Sequence, residues 1–471
     1  MPKTLRLDPD RLFPSDPETR ACARTLYKIV ADLPIVSPHG HVDPLILVEN
    51  TPFADPAQLF LRYDHYVTRV LHAAGFGLGE LGIPTLLGGD VADPREAWRI
   101  FCSNWLLFAG TASGYWLQHE FVDLFGITEH PCEDNADALY DQIIAALQTE
   151  AFRPRALFES FGIDVLATTD DPMDDLAAHA ALRADPSFTG RVVPTFRPDN
   201  YLNPATPGWS DRVAALAAWN GTAAADYDGY LGALAGRRRY FVEHGAVSSD
   251  HGVTQPFAAD LSHERAAQLF AEALAGRLDA EGARIFSGHM LLESARMSLE
   301  DGLVMTVHAG IVRNHDSGTF ERFGPDTGHD IPVATSYVES LRPLLERYGN
   351  DPSLHLVLFA VDETVYSREL APLAGYYPAV YIGAPWWFLD APDAVLRFRA
   401  ATTETAGFYR GSGFIDDTRA FLSIPARHDM SRRLDASFLA RLVREGRIDR
   451  QSAEQIIYDL VAVVPRKVFK L

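Results

Sequence analysis

The sequence predicts a closed (β/α)8 barrel of the TIM type, and three observations carry the prediction. From Gly162 onward, short β-branched apolar runs recur, and polar or charged residues follow each at once. Helical stretches separate them, as in Glu264 to Leu278, where Phe270, Leu274 and Leu278 fall every fourth residue on one face. With an earlier run at Pro34-Ile35-Val36-Ser37 the strands number eight, and eight parallel strands alternating with helices describe a barrel. A doubly wound open sheet is the competitor that a strand count alone does not exclude.

Residues 1–33 read as an N-terminal helical segment and 34–428 as the barrel. Strand one, Ile35-Val36, ends in His39-Gly40-His41. A mostly helical insertion follows, at about 43–158, with aromatic-rich amphipathic pieces such as Trp98-Arg99-Ile100-Phe101. Within it Gly77-Leu78-Gly79-Glu80-Leu81-Gly82 matches G-x-G-x-x-G, but a helical segment precedes it and Ile83-Pro84 follows, so it reads as a glycine-rich turn. The further strands are Ile163–Thr168, Val192–Phe196, Gly245–Ser249, Leu303–Val307, Leu354–Phe359, Ala379–Ile382 and Gly413–Asp416. Residues 429–471 read as a helical tail packed on the barrel. A typical barrel takes roughly 250 residues, so the insertion, the long 254–300 connection and the tail account for the excess.

A net charge of −21 repels phosphates and anionic lipid, which excludes nucleic acid and membrane surfaces as partners. No run approaches the roughly 18 apolar residues of a membrane helix. Cys22, Cys102 and Cys132 are scattered and odd in number, so neither a disulfide framework nor a thiolate zinc site is indicated. Together with a polar Met1 to Pro14, this points to the cytoplasm.

Barrel active sites lie at the C-terminal ends of the strands. Residues i and i+2 of an extended chain point the same way, so His39 and His41 can present two imidazoles to one ion. Strand eight closes against strand one, which brings Asp417 beside them as a third ligand. Two imidazoles and a carboxylate leave coordination positions open, as catalytic sites need. Arg197, Arg313 and Arg419 also follow strands and supply always-charged forks for a carboxylate. Singly, each has a blander explanation: solvated histidines, surface ion pairs, or helix caps in the case of Thr169-Asp170-Asp171-Pro172 and Asp362-Glu363. Together at one barrel end they describe a site for a small, polar, anionic molecule held near a metal.

The chain resembles the uronate isomerases (glucuronate/galacturonate isomerases) of the amidohydrolase superfamily. The resemblance is carried by His39-Gly40-His41, Asp64-His65-Tyr66, Thr169-Asp170-Asp171-Pro172, Phe196-Arg197-Pro198-Asp199 and Ser249-Asp250-His251-Gly252. It continues through His308 with Arg313, Trp386-Trp387-Phe388, Asp417-Thr418-Arg419 and Arg427-His428. It implies one divalent metal, zinc, on His39, His41 and Asp417. It also implies a catalytic shell of His65, Tyr66, Asp250, His308, Asp417 and Arg419, with substrate held by Arg197, Arg313, Arg419 and Trp387. The chain departs from the family at Asn314-His315-Asp316, where an asparagine-rich stretch is usual, and at Gly328-His329-Asp330-Ile331-Pro332. No histidine ends strand six and no barrel-end lysine is present to bridge two ions, which fits a single metal.

The resemblance implies aldose–ketose isomerisation of a hexuronate, D-glucuronate to D-fructuronate or D-galacturonate to D-tagaturonate. A proton moves between carbon 2 and carbon 1 through an enediol. Tyr66 is the expected base at carbon 2, with its phenol lowered by cationic neighbours, and Asp417 the carrier of the hydroxyl proton. A homo-oligomer is expected. The competing readings are a mononuclear metal-dependent hydrolase or lactonase acting on an acidic sugar, and a non-catalytic sugar-acid binder.

Overall fold

The computed structural model describes residues 4–62, 64–88, 91–221 and 226–471. Its barrel strands are Ile35–Ser37, Ile163–Ala167, Arg191–Val193 continued by Thr195–Phe196, Ser248–Val253, Val304–Ala309, Leu356–Ala360 and Val380–Ile382. Each runs parallel to the next in that order. Pro194 interrupts the third, because proline has no N–H to give to a ladder. Helices fill the connections, and strands such as Val304–Ala309 and Leu356–Ala360 are buried along their whole length, as barrel strands must be.

The eighth strand differs from expectation. Residues 413–416 form no regular strand, since Gly413 (φ +78°) and Asp417 (φ +40°) leave the extended region and break the ladder. Closure is made by single contacts instead. Gly411 bridges Ile382, the Ser412 N–H donates to the Ile382 carbonyl at 2.8 Å, and the His41 N–H donates to the Thr418 carbonyl at 3.0 Å. The barrel is therefore closed between its last and first strands, by the segment that carries Asp417.

The insertion is helical as expected. Asp93 caps the helix Pro94–Ser103 with proline in its first turn, and Trp98, Phe101 and Phe121 are wholly buried in one aromatic core with Val67 and Leu71. Gly77 to Gly82 lie in turns with no preceding strand. The expected division at 428/429 is not a structural boundary, because one helix runs from Ile424 to Arg444 through it. That helix packs on the N-terminal helix Pro17–Val30, where Phe438, Leu439 and Leu442 meet Ala23, Leu26 and Val30. Val464, Val468 and Phe469 then enter the barrel core beside Val304, Val357 and Ile415, so the tail plugs the end opposite the strand C-termini. Among the described residues no helix is long and apolar enough to cross a membrane.

Candidate active site

A cavity of about 440 Å³ opens at the C-terminal ends of the strands. It is lined by His39, His41, His65, Tyr66, Arg197, His308, Arg313, Trp387, Asp417 and Arg419, which come from both ends of the sequence and from the insertion.

His39 and His41 leave strand one on either side of Gly40, where a Cβ would sit 3.4 Å from both the Ala167 carbonyl and Asp416 Oδ1. Asp417 adopts a left-handed φ of +40°, unusual for a non-glycine residue and a mark of functional constraint. That turn places its Oδ1 3.5 Å from His39 Nε2 and 3.1 Å from His41 Nε2. Asp417 Oδ1 and His39 Nδ1 are buried without a hydrogen-bond partner. Burial pushes His39 down to about 3, so its imidazole is neutral. Burial alone would raise Asp417, but the adjacent His41 and His39 imidazoles hold it well below the usual carboxylate range. Neutral imidazoles and an ionised, unsatisfied carboxylate converging on one point fit a divalent cation. His39, Asp250 and His308 also lie within ligand distance of one another. In that group, however, Asp250 Oδ1 is already engaged by His308 and Thr306, and Oδ2 faces Arg197.

His308 ends strand five of the barrel, and its Nδ1 is 2.5 Å from Asp250 Oδ1 on strand four. Thr306 Oγ1 donates to the same oxygen at 2.6 Å, and Arg197 Nη1 lies 3.2 Å from Asp250 Oδ2. Asp250 and His251, expected after strand four, lie within it, so their side chains diverge and Asp250 alone joins this cluster. Burial would raise Asp250, yet His308, Arg197 and His39 outweigh it and hold Asp250 well below its ordinary value. Asp250 holds Nδ1 of His308, and the other ring nitrogen, Nε2, is buried without a hydrogen-bond partner. The His308 ring stacks on His39 at 4.5 Å and on Phe359 at 4.1 Å, which fixes its plane.

The insertion reaches the cavity through the helix His65–Ala73. Asp64 caps it by accepting from the Tyr66 N–H at 2.9 Å, so the triplet both caps this helix and lines the cavity. The Tyr66 ring stacks on His65 at 4.7 Å, meets Trp116 edge-on at 5.5 Å and lies 5.4 Å from the Arg427 guanidinium. Cationic neighbours were expected to lower its phenol. Burial instead raises it beyond what Arg427 recovers, so Tyr66 stays protonated. Burial also brings His65 down to about 4.

The three arginines differ in how far they are neutralised. Arg197 is paired with Asp199 at 2.9 Å and with Asp250 at 3.2 Å. Arg313 lies over the Trp387 ring at 4.7 Å and pairs with Asp330 at 3.3 Å. Arg419 pairs with Asp326 at 2.9 Å. Asp326, Asp330, Asn314 and Trp386 line the cavity although sequence reasoning did not single them out as site residues. The two acids sit in the excursion after strand five, away from the strand ends. Their one local signal is the turn Gly324-Pro325-Asp326-Thr327-Gly328, with left-handed φ at Gly324, Asp326 and Gly328.

Known proteins place this geometry. The profile of the glucuronate isomerase family matches residues 18–469. A uronate isomerase of Corynebacterium efficiens is 52% identical over 464 residues, spanning 98% of this chain and 98% of that one. A crystal structure of glucuronate isomerase from Caulobacter crescentus superposes with a TM-score of 0.97 at 49% identity, covering 99% of this chain and 98% of that one. The uronate isomerase of Thermotoga maritima superposes with a TM-score of 0.91 at 27% identity, covering 98% and 99%.

Proposed function

This chain belongs to the glucuronate isomerase family and is an isomerase, and on that premise we propose that it interconverts an open-chain hexuronate and its 2-ketose. The observation that carries the proposal is the convergence in one cavity of His39, His41 and Asp417 with three arginines and with His308, which Asp250 holds from behind.

The reaction removes a proton from carbon 2, delivers one to carbon 1 and moves a hydroxyl proton between the two oxygens. Arg197 and Arg313 are assigned to the far carboxylate. Arg313 lies against Trp387, which restricts its plane and leaves its free edge for a two-point contact. His308 is assigned as the proton carrier at carbon 2, because Asp250 holds its Nδ1 and leaves Nε2 as the acceptor. This departs from the sequence expectation for Tyr66. A phenol raised by burial serves better as a donor, so Tyr66 is assigned to hydrogen-bond the oxygen on which charge develops, beside Arg419. Asp417 is assigned to carry the hydroxyl proton, and His65, neutral and packed on Tyr66, to assist ring opening.

A divalent ion on His39, His41 and Asp417 would supply Lewis-acid stabilisation of the developing charge. Zinc is supported by the donor set of two imidazoles and one carboxylate. The cytoplasmic location and the homo-oligomer are proposed with it.

The test is incubation with D-glucuronate and with D-galacturonate in heavy water, followed by NMR. A ketose carrying deuterium at carbon 1 is the expected product. No ketose from either uronate, together with hydrolysis of a uronolactone to its ring-opened acid, would instead support the hydrolase alternative and overturn the assignment.

A further inference from the structure

Arg313 and Arg419 enter the cavity from different strands, and two guanidiniums converging on one small volume repel each other. Between them lies Asp326. Its Oδ2 is 2.9 Å from Arg419 Nη1 and its Oδ1 3.8 Å from Arg313 Nη1. Both arginines are about two-fifths exposed, at 41% and 42%, so packing alone does not fix their long side chains. We propose that Asp326 is a positioning residue for the isomerisation, a bridging carboxylate that sets which edges of Arg313 and Arg419 face the substrate. The inference rests on the reading that the cavity binds a uronate.

Three further observations support it. Asp326 holds φ at +62°, a conformation that costs a non-glycine residue and persists where its surroundings impose it. The loop that carries it is registered against the catalytic insertion. A Cβ on Gly328 would lie 2.8 Å from the Arg69 Cβ and 3.1 Å from the His65 carbonyl, so only glycine lets the loop approach the helix bearing His65 and Tyr66. Burial would raise Asp326, but Arg419, Arg313 and His65 outweigh it, so the bridge is ionised.

The two arginines depend on this bridge unequally. Arg313 keeps Asp330 and the Trp387 face when Asp326 is lost, whereas Asp326 is the ion-pair partner of Arg419 among the described residues. Asp326 therefore acts mainly through Arg419, and the bridge should be visible as coupling between those two positions.

A double-mutant cycle tests this on the full-length, metal-loaded enzyme. Asp326→Asn keeps the shape and tolerates a left-handed φ, and Asp326→Gly suits that φ while removing the side chain, so at least one variant should retain the fold. The readouts are kcat and KM for the preferred uronate, and Kd for a hexonate that lacks the carbonyl and cannot react. In the wild-type background, loss of the bridge should lower kcat/KM by at least about ten-fold. In an Arg419→Met background the same change should cost less than about two-fold, while in an Arg313→Met background most of the loss should remain. Equal losses in all three backgrounds, or unchanged kcat/KM in folded Asp326 variants, overturn the proposal. Wild-type enzyme that converts no uronate overturns the underlying reading instead, so the two failures are told apart.

Discussion

Tyr66→Phe separates packing from chemistry in the insertion. The Tyr66 hydroxyl makes no hydrogen bond to the described residues and lies at the cavity, while its ring makes the contacts to His65, Trp116 and Arg427. Phenylalanine keeps that ring, so stability should change by less than about 1 kcal/mol. A group that donates to developing charge or moves a proton contributes roughly 10²–10⁴ in rate, or about 2.7–5.4 kcal/mol at 1.36 kcal/mol per decade. The assay is steady-state turnover with a coupled ketose measurement, beside a thermal melt. Turnover should fall by that factor with the melting midpoint within a few degrees of wild type. The pH profile adds a second criterion, because burial raises the Tyr66 hydroxyl. Wild-type activity should show no acidic limb from ionisation of Tyr66, since a phenol acting as donor is protonated throughout the neutral range. A variant that turns over normally would refute the catalytic role, and an acidic limb abolished by Tyr66→Phe would restore the phenolate base.

Elemental analysis of His39→Ala and Asp417→Ala should show metal content well below wild type, and unchanged stoichiometry would remove these residues as ligands. Arg313→Met should raise KM for uronates about ten-fold or more with little change in melting, because Arg313 is itself partly exposed and the buried Asp330 keeps the Asn314 N–H at 2.6 Å. Arg197→Met should raise KM and also lower stability, by up to roughly 3 kcal/mol, because it leaves the fully buried Asp250 without that partner. Wild-type efficiency in either variant contradicts its anchoring role. Asp170 offers a test of electrostatics away from the chemistry, since burial raises it to about 7 against an ordinary value of 3.8. The folded state therefore keeps a proton that the unfolded chain releases above about pH 4, and stability drains as pH rises towards 7. Asp170→Asn removes that loss, so its melting midpoint relative to wild type should be higher at pH 8 than at pH 5. A difference independent of pH would contradict the shift.

Much of the site was legible because a barrel converts chain order into spatial order. Once the alternating runs are read as strands, the ends of strands one and eight become neighbours, so His39, His41 and Asp417 could be placed together from opposite ends of the sequence. Arg197, His308, Arg313 and Arg419 followed from the same rule, and the His-x-His spacing carried its own geometry. The apolar run Gly413-Phe414-Ile415 predicts a regular eighth strand. The departures of Gly413 and Asp417 into the left-handed region are set by closure against strand one, which no local pattern records. The place of His65 and Tyr66 in the site comes from resemblance alone, since the periodicity of the helix His65–Ala73 states only that it has a buried face. Tertiary structure alone decided the ionisation of Tyr66. Desolvation depends on which groups surround the hydroxyl, and the nearby Arg427 cation does not offset burial. It alone decided the place of Asp326 as well, because a carboxylate in a loop seventeen residues from the end of strand five meets Arg419 only when the excursion folds back across the mouth. Local periodicity and strand order are properties of the chain. Burial and long-range ion pairing belong to the packed molecule.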